Sequence, residues 1–154
     1  VALDEIAAEV VELMAHETRR HSIEIVNRLD KSARVQAHAE GGPLHQVLLN
    51  LLVNAVHAVD SAVIGGRSGT HSIELFVEDA GAQWALCVRD TGTGISPENL
   101  KNLFKPFFTT KDIGQGTGLG LATSYRIVEA WGGSIGVTTL LGSGSTFRVL
   151  LPKA

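Results

Sequence analysis

The sequence predicts an α+β fold: a two-layer sandwich with one mixed sheet and helices on one face. Three observations predict it. Residues 45–60, HQVLLNLLVNAVHAVD, are apolar nearly all round a helical wheel, and such a helix belongs in the interior. Short alternating segments pair off around glycine turns, as hairpin strands do. The 154 residues, 44% hydrophobic and 19% charged, suit one globular domain with a full core and are too few for two comfortable ones. Residues 1–154 are therefore read as a single domain.

Taken in order, Leu3, Ile6, Ala7, Val10 and Met14 recur at three-four spacing, with Glu5, Glu9 and Glu12 opposite. This predicts an amphipathic helix over 3–16. His16 closes it, where a basic side chain suits the negative end of the helix dipole. Residues 22–29 alternate and read as a strand, and 35–39 as a second, short one. Gly41-Gly42-Pro43 breaks the chain, with Pro43 placed for the first turn of the apolar helix. Residues 61–70 form a polar, glycine-rich loop. Strands 72–79 and 84–90 make a hairpin about Ala80-Gly81-Ala82-Gln83. Ser96-Pro97-Glu98 starts a short helix, with a capping hydroxyl, a proline at the first position and an acid in the first turn. Its end falls near Phe104. Residues 118–131 form the last helix, stopped by Gly132-Gly133. Strands 135–140 and 146–151 complete the sheet.

Composition excludes several functions. The net charge of −3 gives no general attraction to nucleic acid or an anionic membrane. The single cysteine, Cys87, lies in an apolar run and reads as a buried small hydrophobe in a reducing compartment. With no histidine or second cysteine nearby in sequence, a redox or catalytic role has no support. No apolar run is expected to reach the roughly 18 residues of a membrane span. The first residues carry acids, unlike the basic start of a secretion signal. The chain reads as a cytoplasmic piece.

The central helix keeps one narrow polar strip: Asn50, Asn54 and His57. A buried amide without a partner costs about 1–3 kcal/mol, so the strip either bonds to neighbouring backbone and water or lines a cavity for a ligand or ion. Two glycine clusters bear on that choice. Asp90-Thr91-Gly92-Thr93-Gly94-Ile95 follows a strand, where glycines let backbone approach a flat or charged ligand. A plain Asp turn is its simpler reading. Gly114-Gln115-Gly116-Thr117-Gly118-Leu119-Gly120-Leu121 leads straight into a helix, whose freed N–H groups and dipole form an anion site. It is neither the dinucleotide fingerprint nor a P-loop, and a hinge loop is its simpler reading. Lys111 offers a positive charge for the same phosphates. Phe104, Phe107 and Phe108 read as a core anchor, or as the hinge base of a lid closing over a nucleotide.

In this order and at these spacings, LLNLLVNAVHA, DTGTGI, NLFKPFFTTK, GQGTGLGL and GSGSTF resemble the boxes of the catalytic ATP-binding domain of sensor histidine kinases. That domain belongs to the wider group of gyrase, Hsp90 and MutL, the Bergerat fold. The resemblance runs nearly the whole chain, to Leu151-Pro152, and implies an ATP site with Mg²⁺. Asn54 resembles the magnesium ligand, and Asn50 the second asparagine near the phosphates and metal. Amide oxygens suit that hard cation. Asp90 matches the acceptor of the adenine amino group, and Gly92 and Gly94 match the glycines beside the base. Thr146 resembles the threonine that supports the aspartate. Lys111 and the amides of Gly116, Gly118 and Gly120, with Thr117 and Leu119 between them, match the phosphate-holding part of the lid. His57 stands where some members carry a basic residue towards the phosphates, and Ala58 where some place an aromatic ring over adenine. His16-Glu17-Thr18-Arg19 opens like a phosphoacceptor site, but the proline expected after it is missing and a strand pattern follows at once.

One position separates the enzyme classes of this group. Its ATPases carry a water-activating glutamate one turn before the metal asparagine. Here that residue is Asn50, and an amide cannot act as a general base. The resemblance therefore implies transfer of the γ-phosphate to a histidine, with Asn50 and Lys111 as catalytic residues. The acceptor would sit on a separate dimerisation and phosphoacceptor domain, with a response regulator downstream. No phosphoacceptor, sensor or transmembrane domain is expected within 1–154, nor direct contact of this domain with membrane or nucleic acid. The parent protein remains open to membrane anchoring. The alternative is a GHKL-type ATPase or nucleotide-binding switch without histidine phosphotransfer.

Overall fold

The computed structural model describes residues 1–29, 35–66, 69, 71–105 and 120–154. Among them, in chain order, are α1 (Leu3–Arg20), β1 (Glu24–Asn27), α2 (Gly41–Ile64), β2 (Ser72–Ala80), β3 (Gln83–Asp90), α3 (Pro97–Leu100), α4 (Gly120–Ala130), β4 (Ser134–Leu140) and β5 (Gly144–Pro152). The strands form one sheet in the order β1-β2-β3-β5-β4. Only β1 and β2 run parallel, and α2 lies in the connection that a parallel pair requires. The sheet is mixed and the helices cover one face, as expected from the sequence.

Register explains why one face is greasy. Leu75 pairs with Val88 and Val88 with Phe147, while Val77 pairs with Leu86 and Leu86 with Val149. Side chains alternate along each strand, so these rungs share a face. On it lie Leu44, Val47, Leu48, Leu51, Leu52, Ala55, Val56 and Val59 of α2, with Leu3, Ile6, Val10 and Met14 of α1, in one cluster. The opposite face carries charge. Glu74 takes Arg28 at 2.6 Å and Arg89 at 3.1 Å, and Arg148 meets Glu78 at 2.9 Å. Exposed pairs of this kind contribute only about 0.2–1 kcal/mol each, so the apolar face holds the layers together.

Several boundaries differ from the sequence expectation. Helix α1 runs one turn beyond His16, because Thr18 stays buried and its hydroxyl donates back to the carbonyls of Met14 and Ala15, both at 3.1 Å. Arg19 and Arg20, not His16, occupy the last turn. Helix α2 is longer at both ends. Gly41 and Gly42 fall inside its first turn, and Ala62 extends its buried side beyond residue 60. By length and composition alone this helix could cross a membrane, contrary to the expectation, since its two asparagines do not break its apolar length. It is instead the core helix, touching α1, α4 and three strands. The segment 35–39 yields only two isolated bridges, Ala2 with Gln36 and Ala37 with Lys153. The hairpin closes on two residues, since Ala80 pairs with Gln83. The Ser96 hydroxyl caps α3 as expected, accepting the Asn99 N–H at 3.2 Å.

Cys87 is fully buried on the charged side of β3, between Phe76 and Arg148 in register. Burial pushes its thiol up to about 11, and the charge of Glu78 adds to the effect. A thiol reagent at pH 8 should therefore leave the folded chain unlabelled and modify Cys87 fully in strong denaturant. Labelling of the folded chain at the rate of an unfolded thiol would contradict this placement.

Candidate functional site

The candidate site is built on the middle of α2. Asn50, Asn54, His57 and Ala58 are all half-buried, and they follow one another along a single helix. At the Ala58 end the helix meets the loop after β3. The Thr93 N–H donates to the Ala58 carbonyl at 3.2 Å. A Cβ on Gly92 would stand 2.6 Å from that of Ala58, so only glycine lets the loop lie this close. Asp90 ends β3 with 5% exposure, and its Oδ1 accepts the buried Gly92 N–H at 2.8 Å. The turn reading of Asp90 is thus satisfied here, together with the close backbone approach.

At its other end the strip meets α4. The Asn50 Nδ2 donates to the Gly120 carbonyl at 3.3 Å and to the Ser124 hydroxyl at 3.2 Å. Its Oδ1 accepts from Gln46 Nε2 at 2.9 Å. The Gly120 carbonyl can only accept, which fixes which end of the amide faces it. This departs from the expected open metal and phosphate ligand: Asn50 ties two helices together. An amide oxygen has two lone pairs, so one stays available beside Gln46, an exposed side chain. From Asn50 to Ala58 the helix rises about 12 Å. The loop at Gly92 and the start of α4 thus stand at opposite ends of one helical floor.

The structure does not bring Thr146 together with Asp90. Thr146 pairs with Arg89, on the face opposite Asp90, and its hydroxyl lies 3.5 Å from Arg89 Nε. Ser145, one residue earlier, stands directly across from Asp90 and is buried. A shift of one residue along a strand exchanges faces, so of the two adjacent hydroxyls it is that of Ser145 that shares a face with Asp90. The alternation Ser145, Phe147, Val149, Leu151 was the signal that could have found it. Ser124 was missed as well, because a lone serine among apolar helix positions carries no mark of its partner. Gly94 packs against the β4–β5 turn. Phe104 stacks obliquely on Tyr125, with ring centroids 5.2 Å apart. Lys111, Gly116, Thr117, Gly118 and Leu119, with Phe107 and Phe108, lie outside the described residues. Two concavities lined by described residues, about 650 and 450 Å³, run beside α1 and do not include the amide strip.

Asn50→Asp should set a carboxylate against the Gly120 carbonyl and destabilise the fold by about 1–3 kcal/mol, whereas Ser124→Ala should cost only about 1 kcal/mol. Urea unfolding at neutral pH, with unchanged m-values, checks both. Wild-type stability of the aspartate variant would show that no such tie exists.

A family model described as "Histidine kinase-, DNA gyrase B-, and HSP90-like ATPase" matches residues 39–154. Sensor histidine kinase ZraS of Salmonella typhimurium is 36% identical over 97% of this chain and 35% of its own length. Signal transduction histidine-protein kinase AtoS of Escherichia coli is 36% identical over 99% of this chain and 23% of its own. The chain spans about a third or less of these curated relatives. Among solved structures, the nucleotide-free catalytic domain of histidine kinase ThkA superposes with a TM-score of 0.80 at 29% identity, covering 99% of this chain and 93% of that one. Full-length ShkA in complex with AMPPNP gives 0.77 at 29% identity, over 100% of this chain and 31% of that one. A mixed sheet backed by helices on one face, a buried aspartate before a glycine loop and an asparagine-bearing core helix therefore have a common explanation: the chain belongs to the histidine kinase-, DNA gyrase B- and HSP90-like ATPases, as a catalytic domain of the sensor histidine kinase type.

Proposed function

We propose that this chain binds Mg-ATP along the polar strip of α2 and hands its γ-phosphate to a histidine on another domain of a parent sensor kinase. The observation that carries the phosphotransfer reading is the amide at position 50. Activating water needs a proton acceptor near the phosphates, and a carboxamide cannot be one. The carboxylate that α2 does carry, Asp60, is engaged by His21 at 3.1 Å. A neutral imidazole needs no such base, because it attacks phosphorus through a nitrogen lone pair. The N–P bond forms as the bond from the γ-phosphorus to the bridging oxygen breaks, and ADP departs. Catalysis of this kind is mostly placement and charge stabilisation.

The chain's own residues divide that work by position. Asp90 would accept the amino group of the base, with Gly92 and Gly94 leaving space beside it. Asn54 and the remaining lone pair of Asn50 suit a magnesium ion shared with phosphate oxygens. Among the described residues no cluster of three acids, histidines or cysteines could hold a metal alone, and Mg²⁺ commonly takes only one or two protein ligands beside phosphates and water. When bound, that ion supplies neutralising charge to the triphosphate. Lys111, His57 and the amides of 116–120 are assigned to the phosphates by resemblance. The binding of AMPPNP by ShkA, part of which matches the whole of this chain, supports the ATP reading. A phosphoacceptor domain, a response regulator and a cytoplasmic location for this domain follow from the same reading.

The test is label transfer from [γ-³²P]ATP to the phosphoacceptor domain of the parent. Asn54→Ala should reduce it by about 100-fold or more, the scale for losing a charge-stabilising contact at a transferring phosphoryl group. Label transfer indifferent to Asn54 would remove the metal assignment. Steady ATP turnover with no acceptor present would favour an ATPase over a histidine kinase.

A further inference from the structure

Three strands end in one polar rung. Thr139 of β4 pairs with Ser145 of β5, and Ser145 pairs with Asp90 of β3. The next rung on the same face is Val137, Phe147 and Val88, and all three of those residues belong to the core cluster or pack against it. Three polar side chains thus continue an apolar face, at the edge where the glycine loop leaves the sheet.

Thr139 stands at the far end of that rung and reaches the loop itself. The Ile95 N–H donates to its Oγ1 at 2.9 Å. The same oxygen lies 2.8 Å from the Ser145 hydroxyl and 3.2 Å from the Gly144 carbonyl. Its one proton goes to the Gly144 carbonyl, which can only accept, and the Ile95 N–H and the Ser145 hydroxyl fill the oxygen's two acceptor positions. Thr139 is therefore fully used inside the protein. The β4–β5 turn adds a second strap, since the Gly142 N–H donates to the Thr93 carbonyl at 2.7 Å. Gly94 has φ +72°, and a Cβ there would stand 2.3 Å from the Leu140 carbonyl oxygen. The loop is pressed between that turn and Ala58 of α2, and its exit is held by one side-chain hydroxyl.

We propose that Thr139 is a positioning residue for nucleotide binding: by holding the Ile95 amide it sets where Gly92 and Gly94 stand against the base. This rests on the reading that residues 90–95 border the base. It acts on binding, not on phosphate chemistry, because Thr139 touches loop backbone near Asp90 and not the strip of α2. Losing it should raise the KM for ATP and leave kcat unchanged once ATP saturates.

Amide hydrogen exchange on the unsubstituted chain, without nucleotide, comes first. Ile95 should be protected, and rapid exchange there overturns the clamp whatever the site binds. Thr139→Val keeps the shape and removes the hydroxyl; Thr139→Ser restores the hydroxyl alone. The valine variant should speed Ile95 exchange and weaken Mg-ADP binding by about tenfold, the scale of one lost hydrogen bond. In label transfer by the full parent kinase it should raise KM with kcat held. The serine variant should stay within about twofold of wild type on each reading. Wild-type affinity in the valine variant, equal impairment of both variants, or a fall in kcat at saturating ATP each overturns the proposal. If the unsubstituted chain binds no nucleotide while Ile95 is protected, the nucleotide reading fails, and the positioning role fails with it.

Discussion

A helix that is apolar nearly all round has to be enclosed, and enclosing α2 determines the remaining architecture. Its 24 residues are too long for one neighbour to cover. The sheet takes one side, while α1 and α4 pack against others. Burial of aliphatic side chains contributes about 1.5–3 kcal/mol each, and α2 supplies Leu44, Val47, Leu48, Leu51, Leu52, Val56 and Val59 to the core. The elements that surround it cannot shift far without exposing some of them. That confines the amides in the middle of α2 to one narrow strip, through Asn50 and Asn54. The candidate site lies on a side of the helix that the core leaves open.

Strand register then carries this order to the glycine loop. Asp90 is the last residue of β3 and shares a face with Leu86 and Val88, so its carboxylate points to the helical layer and not to the charged outer face. The loop after it must turn at once onto α2. The absence of a side chain at Gly92 permits the contact with Ala58. A Cβ on Gly144 would approach the Asp90 carbonyl oxygen to 2.1 Å, so the neighbouring hairpin closes on the same point. Close backbone approach from both sides leaves little freedom at a place where a ligand would need a fixed wall.

What could be read from the sequence follows the range of the forces involved. The buried helix, the β2–β3 hairpin and the Ser96 cap depend on residues close in the chain, and each was legible. The Asn50 tie was not, because its partners Gly120 and Ser124 lie 70 and 74 residues away. The strip alone left open whether its amides met protein or ligand, and at Asn50 they meet protein. The end of α1 was missed because Thr18 turns its hydroxyl back on its own helix, which makes a polar residue fit a buried position. The face of Thr146 was not legible in its motif, because a motif names residue types, whereas a face is decided by counting along the strand from Phe147.

The Asn50 contacts also alter how the two ends of the site relate. If α2 met only the glycine loop, α4 could pack against the sheet with its first residue anywhere along the helix. The Asn50 amide removes that freedom by binding the carbonyl of Gly120, the residue that opens α4. The positive end of the α4 dipole is thereby held beside the polar strip. A ligand spanning the floor from Gly92 to Gly120 would meet an acceptor-lined loop at one end and helix N–H groups at the other. That polarity suits a molecule with a hydrogen-bonding base at one end and anionic phosphates at the other. Reversing it would put phosphate oxygens against the Asp90 carboxylate, so on the proposed reading a nucleotide would lie in one direction only.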